Sequence, residues 1–329
     1  MEAAIIGAGL MGRWHASSVR RQKGRIVAVV DPDLDRAQAL ARRFGATVFP
    51  SIDAMLARQT PRAAHICTPA HSHANQIEQL LAAGCHILCE KPLAASAAEV
   101  ARLLDAAGAA NRVVCPVHQF AMQRGVREVA GRIDELGEIS RVVFTFCSAG
   151  GEHLPPSALD GIVLDIAPHA FSVLAHLFPL RDLGSVDWRA LHPAAGEVVA
   201  TGALGQTAIT LAFSMASRPT EASATIAGAR GSAAIDFFHG FAYFSKGTVS
   251  RLHKATRPLI DSAAHFATAA RNLASRAMRK EFAYPGLDAL VSAFHQSIAS
   301  GGPPPFSAAE TLATYRACDA LARQILPAT

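Results

Sequence analysis

The stretch Ala3-Ala4-Ile5-Ile6-Gly7-Ala8-Gly9-Leu10-Met11-Gly12 decides the fold. Residues 3–7 are a short apolar run of strand character, residues 12–22 carry a helical pattern, and G-x-G-x-x-G stands where the two meet. In such a turn Gly7 permits the tight bend, Gly9 lets a ligand approach the backbone, and Gly12 lets helix and strand pack closely. The amides that open the helix then face phosphate groups. Glycine-rich turns are common, so the motif gains its meaning from the strand before it and the helix after it.

Outward from this turn the pattern repeats. Strand-like runs at 25–30, 46–49, 63–69, 86–92 and 111–119 alternate with helical runs at 33–44, 51–58, 73–83 and 96–108. Strands apolar along nearly their whole length, separated by helices, imply a parallel sheet covered on both faces. Right-handed crossovers leave little beyond a doubly wound α/β Rossmann sheet. Beyond residue 120 the texture changes. After a helix near 122–135 come strands at 137–148, 185–191, 206–215, 222–231, 232–238 and 241–246, joined by short Gly-containing connections. These predict an open, mostly antiparallel sheet. Helices are expected at 161–177, 258–279, 286–300 and 307–325, the last started by Ser307 with Glu310 three residues on. The expected domains are therefore 1–120 and 121–329.

Composition narrows the function. The 329 residues are 50% apolar and 17% charged, with a net charge of +5. The basic residues form no recognised nucleic-acid reader, so no nucleic-acid partner is expected. The opening residues carry no basic leader, and no 18-residue apolar stretch lacks a charge or turn former, so no signal peptide or integral membrane segment is expected. The six cysteines, Cys67, Cys85, Cys89, Cys115, Cys147 and Cys318, form no CxxC pair and sit mostly in apolar runs. They read as core thiols of a cytoplasmic protein, with no metal site. Arg251, Lys254, Arg257, Arg271, Arg276, Arg279 and Lys280 concentrate positive charge near one helix. That helix reads as a solvated or subunit-interface helix, an anion-binding rim for a phosphorylated or nucleotide-linked substrate, or a membrane-surface contact.

Asp31 ends the second strand, 24 residues past Gly7. A carboxylate there accepts both ribose hydroxyls of NAD(H) and repels the 2′-phosphate of NADP(H), although Arg36, Arg42 and Arg43 lie nearby. The same aspartate also fits a turn or helix cap. Glu90-Lys91-Pro92 follows an apolar strand, on the edge where such sheets bind ligands. Lys91 there can hold a substrate hydroxyl and take its proton, or be a surface lysine. Thr68, Pro69 and His73 follow another strand, beside the nicotinamide side of the cofactor, and His118 and Gln119 end the last strand of the domain. Asp165 and His169 are four apart, on one face if helical, and fit either a substrate-contacting pair or a cap and a core histidine. Pro168 suggests a helix start near 165–168 or an irregular helix.

Taken together, GAGLMGRWH (7–15), TPAHSH (68–73), EKPLA (90–94) and DIAPH (165–169) resemble the glucose–fructose oxidoreductase / inositol dehydrogenase (Gfo/Idh/MocA) family over essentially the whole chain. The resemblance implies NAD(H)-dependent interconversion of a secondary alcohol and a ketone on a sugar, cyclitol or nucleotide-linked sugar. It makes 1–120 a dinucleotide-binding domain and 121–329 a substrate-binding and oligomerisation domain. It implies Lys91 as the catalytic lysine, His169 as the histidine that contacts the reacting hydroxyl, Asp165 as the acid that positions substrate, and a homodimer or homotetramer. Cofactor contacts would fall to Gly7, Gly9, Leu10, Met11, Gly12, Asp31, Thr68, Pro69, His73, Glu90, Lys91 and Gln119, and substrate contacts to Lys91, His118, Asp165 and His169. The segment VHQFAMQRG (117–125) departs from the family's arginine-bearing pattern, and only Asp160-Gly161 remains of the glycines before DIAPH. Both departures bear on the substrate. A redox-neutral NAD-dependent glycosidase and a non-enzymatic dinucleotide-sensing protein remain alternatives.

Overall fold

The computed structural model describes residues 1–148, 151, 153–179, 181–247, 250–279, 281 and 283–326, without the side chains of 157 and 251–254. The chain divides into two units, Met1–His118 with Leu287–Tyr315, and Gln119–Gly286 with Arg316–Thr329. A single boundary at 120 does not carry this return of the chain to the first unit.

In the first unit the apolar runs form β1 (Glu2–Ile6), β2 (Arg25–Val30), β3 (Thr47–Phe49), β4 (Ala63–Ile66), β5 (His86–Cys89) and β6 (Val114–Pro116). Between them run α1 (Leu10–Arg21), α2 (Leu34–Arg42), α3 (Ile52–Leu56), α4 (His73–Ala82) and α5 (Ala97–Ala109). The strands pair in parallel in the order β3-β2-β1-β4-β5-β6. The order reverses beside β1, which brings the loops after β1 and β4 together at the carboxyl edge. Ala4, Ala28, Ala64, Ile66 and Ile87 on the strands are buried against Ile77, Leu80, Val100 and Leu103 of the helices. Burial on both faces explains the uninterrupted apolar runs.

The second unit begins with α6 (Arg124–Arg132), a 3₁₀ turn at Ile133–Leu136, β7 (Ile139–Cys147) and α7 (Pro156–Leu177). Next come β8 (Arg189–Ala194), β9 (Glu197–Leu204), β10 (Thr207–Ser214), β11 (Glu221–Gly228), β12 (Gly231–Asp236), β13 (Phe241–Lys246) and α8 (Arg251–Arg279). The sheet order is β13-β12-β11-β7-β10-β9-β8, antiparallel throughout except for β7 beside β10. Phe144, Phe146, Phe213 and Phe237 stack on its buried face with nearly parallel rings. Finally α9 (Leu287–Ser300) rejoins the first unit, packing on α1, and α10 (Ala308–Ile325) closes the chain. The start signal of α10 is realised: Ser307 Oγ accepts from Glu310 N–H, and Glu310 Oε2 accepts from Ser307 N–H at 2.8 Å.

Three expectations change. The strand β9 is absent from the sequence reading, and β8 lies later than 185–191, because Leu183–Ser185 forms a 3₁₀ turn capped by Asp182. In β9, Gly202 lies against Trp188, where an added Cβ would come within 3.0 Å of the indole. That packing selects small residues of weak strand propensity. Helix α7 starts at Pro156, where proline suits a first turn, and runs through Pro168 without ending. Val163, Ala167, Ala170, Phe171, Val173 and Leu174 are all buried there, and this burial offsets the lost backbone bond. Stretch Ala158–Leu177 is apolar and long enough to cross a membrane by length and composition, but its apolar face is spent on this core. Helix α8 likewise starts seven residues before 258 and contains Pro258.

Along α8, Arg257 pairs with Asp261, Arg279 with Glu281, and Arg276 donates to the carbonyl of Glu281. Much of the helix's positive charge is therefore met within the chain. Lys280 and the side chains of Arg251 and Lys254 lie outside the described residues. On the opposite side Leu259, Phe266 and Leu273, seven residues apart, are 75%, 77% and 68% exposed.

Candidate active site

At the carboxyl end of β1, Gly7 adopts φ +96° and donates its N–H to Val30 O at 2.8 Å. A Cβ on Gly7 would lie 2.7 Å from Cys67 O, and one on Gly12 would lie 2.0 Å from Gly7 O. Both are glycine because the backbone packs there. Gly9 differs: a Cβ would meet nothing within 4 Å, so open space lies above it. Leu10 is exposed and Met11 half-buried beside this space. Helices α2, α3 and α5 are capped by Asp33, Ser51 and Ser96, whereas α1 has no side-chain cap and no acid in its first turn. An uncapped, acid-free helix start under open space fits the pyrophosphate of a dinucleotide.

Asp31 is 6% exposed and accepts from Ala8 N–H at 2.8 Å and from Asp33 N–H at 2.9 Å. The capping role belongs to Asp33, so Asp31 is tied to the glycine turn itself. Its carboxylate retains lone pairs for ribose hydroxyls. Arg36 is bound by Asp33 at 2.9 Å, which occupies it locally.

The loops after β4 and β5 are tied to each other. Thr68 donates its hydroxyl to Gln76 Oε1 at 2.6 Å and receives one from Ser72, and Pro69 opens a 3₁₀ turn. His73 is 1% exposed, with Nδ1 2.7 Å from Pro92 O and Nε2 2.9 Å from Thr68 O. Both ring nitrogens thus face backbone carbonyls. His73 is a strut between the two loops rather than a group turned to a ligand. Tyr315 adds a second tie, accepting at its hydroxyl from Leu93 N–H at 2.7 Å. Lys91 is half-buried between these ties. Glu90, beside it, lies 3.2 Å from His15 Nε2.

His118 follows β6 and is 1% exposed, between the rings of Phe306 and Tyr315. Its Nε2 has no hydrogen-bond partner. Burial, with the charge of Lys91 adding to it, pushes its pKa from 6.5 down to about 3. A neutral imidazole with a buried nitrogen that no protein group meets can bond a ligand hydroxyl.

In the second unit Gln119 is 8% exposed, and a Cβ on Gly286 would lie 2.2 Å from its carbonyl. Asp165, exposed, and His169, half-buried, lie one turn apart on α7. His169 stacks on Phe120 with centroids 4.1 Å apart and 16° between planes, which fixes its ring orientation. The sequence reading gave no role to the side chain of Asp160, whose Oδ1 accepts from Gly196 N–H at 2.8 Å and lies 2.9 Å from His192 Nε2, securing the β8–β9 turn. It also gave no role to His65 or His295, although a histidine inside the apolar run AAHICTP is a visible anomaly. Among the described residues no group of three or more His, Cys, Asp or Glu is arranged to hold a metal ion.

Residues 1–118 match the model of an oxidoreductase family with an NAD-binding Rossmann fold, Gfo/Idh/MocA. Among curated proteins, the chain is 36% identical over 127 residues to D-glucoside 3-dehydrogenase of Escherichia coli, covering 37% of this chain and 36% of that one. It is 30% identical over 187 residues to inositol 2-dehydrogenase of Leifsonia xyli, covering 54% and 53%. These matches span about half of such relatives or less. Over the whole length it resembles the WlbA dehydrogenase from Bordetella pertussis, solved in complex with NADH and UDP-GlcNAcA, at a TM-score of 0.77 and 18% identity, covering 100% of this chain and 98% of that one. That likeness establishes the fold.

The buried histidines make stability depend on pH. His118 and His295 are lowered from 6.5 to about 3 and about 4, each mainly by burial. The unfolded chain therefore takes up protons below about pH 6.5 that the folded chain refuses. Their contribution is complete above that pH and is lost as pH falls toward the folded values. Urea unfolding between pH 7.5 and 4.5 is expected to show stability falling by up to about 1.4 kcal/mol per pH unit for each such histidine. In His118→Phe the slope becomes shallower; an unchanged slope would show that His118 does not titrate in this way.

Proposed function

We propose that the chain, whose residues 1–118 match the Gfo/Idh/MocA oxidoreductase family, interconverts a secondary alcohol and a ketone on a sugar, cyclitol or nucleotide-linked sugar. One observation carries this reading: an uncapped helix start beneath open space at Gly9, on the sheet edge that also holds Asp31 and Lys91. The relatives support the substrate class, being named as dehydrogenases of a glucoside and of inositol and as a reductase of a dTDP-linked sugar.

NAD(H), when bound, supplies the hydride acceptor or donor. Gly7, Gly9, Leu10, Met11 and Gly12 would hold its pyrophosphate, and Asp31 its ribose hydroxyls while disfavouring a 2′-phosphate. Thr68, Pro69, Glu90 and Gln119 would complete the cofactor contacts. His73 serves from behind, by holding the Thr68 and Pro92 backbones. Lys91 holds the reacting hydroxyl and exchanges its proton. His169 shares that hydroxyl with a ring kept in orientation by Phe120, and Asp165 positions the neighbouring hydroxyl. His118 Nε2 takes a further substrate hydroxyl. Positioning and proton transfer are the protein's part of the chemistry. The all-thiol cysteine set fits a reducing, cytoplasmic setting.

The exposed seven-residue recurrence of Leu259, Phe266 and Leu273 supports a homo-oligomer, since such a seam fits another helix better than water.

Two measurements test these points. In Lys91→Ala, NADH formation across a panel of sugars, cyclitols and nucleotide sugars is expected to fall about 10²–10⁴-fold, while NADH binding persists and weakens far less than turnover. Full activity in that variant would remove Lys91 from the chemistry. For Phe266→Glu, light scattering should report a smaller particle than for the unaltered chain; equal masses would show that the seam is not an interface.

A further inference from the structure

Three histidines meet in the interior of the first unit. His15 on α1 and His65 on β4 are completely buried, and His295 on α9 is 7% exposed. His15 Nδ1 lies 3.0 Å from His65 Nδ1, and His65 Nε2 lies 3.3 Å from His295 Nε2. At the inner end His15 Nε2 lies 3.2 Å from Glu90 Oε1. The rings meet edge to face, and Phe294 closes the side of His65.

The order of protons follows from the end of the chain. A carboxylate only accepts, so His15 carries its proton on Nε2 and accepts at Nδ1. His65 must then donate from Nδ1 and accept at Nε2, and His295 must donate from Nε2. Three neutral rings satisfy every contact in one direction. Burial favours this neutral state: it holds His65 well below the usual histidine range, with His15 and His295 adding to the effect. The other titratable neighbours are the thiols of Cys67 and Cys89, beside Glu90, and the amino group of Met1, near His295. The thiols are raised by burial and by Glu90 and remain protonated, so they do not compete.

We propose that Glu90, His15, His65 and His295 form a proton path between the edge of the sheet beside Lys91 and the outer surface at α9. The path rests on reading Lys91 as the group that exchanges the substrate's proton. A proton from water binds His295 Nδ1, and the Nε2 proton of His295 moves to His65 Nε2. The Nδ1 proton of His65 moves to His15 Nδ1, and the Nε2 proton of His15 moves to Glu90. One proton enters, one arrives, and each ring is left as the other tautomer. Passage in the opposite sense restores all three. Turnover can then exchange protons with solvent while substrate covers the catalytic lysine.

The test has two arms on the full chain. Nitrogen-15 NMR of the histidine rings is expected to show Nε2–H for His15, Nδ1–H for His65 and Nε2–H for His295. In His65→Phe the single tautomer of His295 is lost. In His65→Gln, which keeps a donor and an acceptor but relays poorly, kcat falls about tenfold with KM and NADH affinity unchanged, and the solvent deuterium isotope effect on kcat rises. His295→Gln, at the α9 end of the path, should behave alike if the inner variant folds poorly. Unchanged kcat and isotope effect in both glutamine variants, or mixed tautomers at His65 in the unaltered chain, would overturn the path. Failure of the dehydrogenase reading is seen separately, as no Lys91-dependent turnover in the unaltered chain. The NMR arm then decides alone, ordered tautomers supporting the path and mixed ones overturning it.

Discussion

Backbone packs on backbone where β1 enters α1, at a separation that leaves no room for a side chain. The carbonyl of Gly7 fills the place a Cβ on Gly12 would take, and Cys67 O fills that of Gly7. This crowding draws the start of α1 down onto the sheet and holds the β4 loop against it. Asp31 closes the turn from the β2 side through Ala8 N–H. Because β1 and β4 are neighbours in a parallel sheet, the loops after β1, β4, β5 and β6 open on one edge. Any larger residue at positions 7 or 12 would lift α1 and open this edge.

The electrostatics of that edge follow from the same packing. Helices α2, α3 and α5 spend a side chain on their amino ends, whereas α1, like α4, does not, and only the start of α1 lies at the glycine turn, so its partial positive charge is left for a ligand. Lys91 adds a full charge, held in a loop fixed by His73 and Tyr315. Burial keeps His118 beside it, and His65 deeper in the unit, neutral, so the edge holds a localised positive charge instead of a diffuse one. A neutral His118 beside Lys91 suits a hydroxylated substrate, since it can accept or donate a hydrogen bond without competing for the anionic cofactor.

Much of this was legible in the sequence, and the exceptions share causes. The parallel half was readable because strands buried on two faces leave continuous apolar runs. In the second half, β9 was hidden because packing against Trp188 requires Gly202, and small residues carry little strand signal. The early starts of α7 and α8 were hidden because local reading treats Pro168 and Pro258 as boundaries, whereas burial of α7 outweighs one missing bond. At the site, the glycine turn and Asp31 stood at spacings set by local geometry. His73 as a strut depends on contacts 5 and 19 positions away, the Tyr315 tie on one 222 away, and the union of His15, His65 and His295 on contacts 50 and 230 positions apart. No sequence period encodes those.

Calorimetric titration of the purified chain with NADH and with NADPH tests the central claim most directly. The account predicts saturable binding of NADH, weaker by at least about tenfold for NADPH because Asp31 opposes a 2′-phosphate, and loss of NADH binding when Gly12 is replaced by valine in a chain that stays folded. Equal binding of the two nucleotides would contradict the role given to Asp31. Absence of binding to either would contradict the dinucleotide site itself.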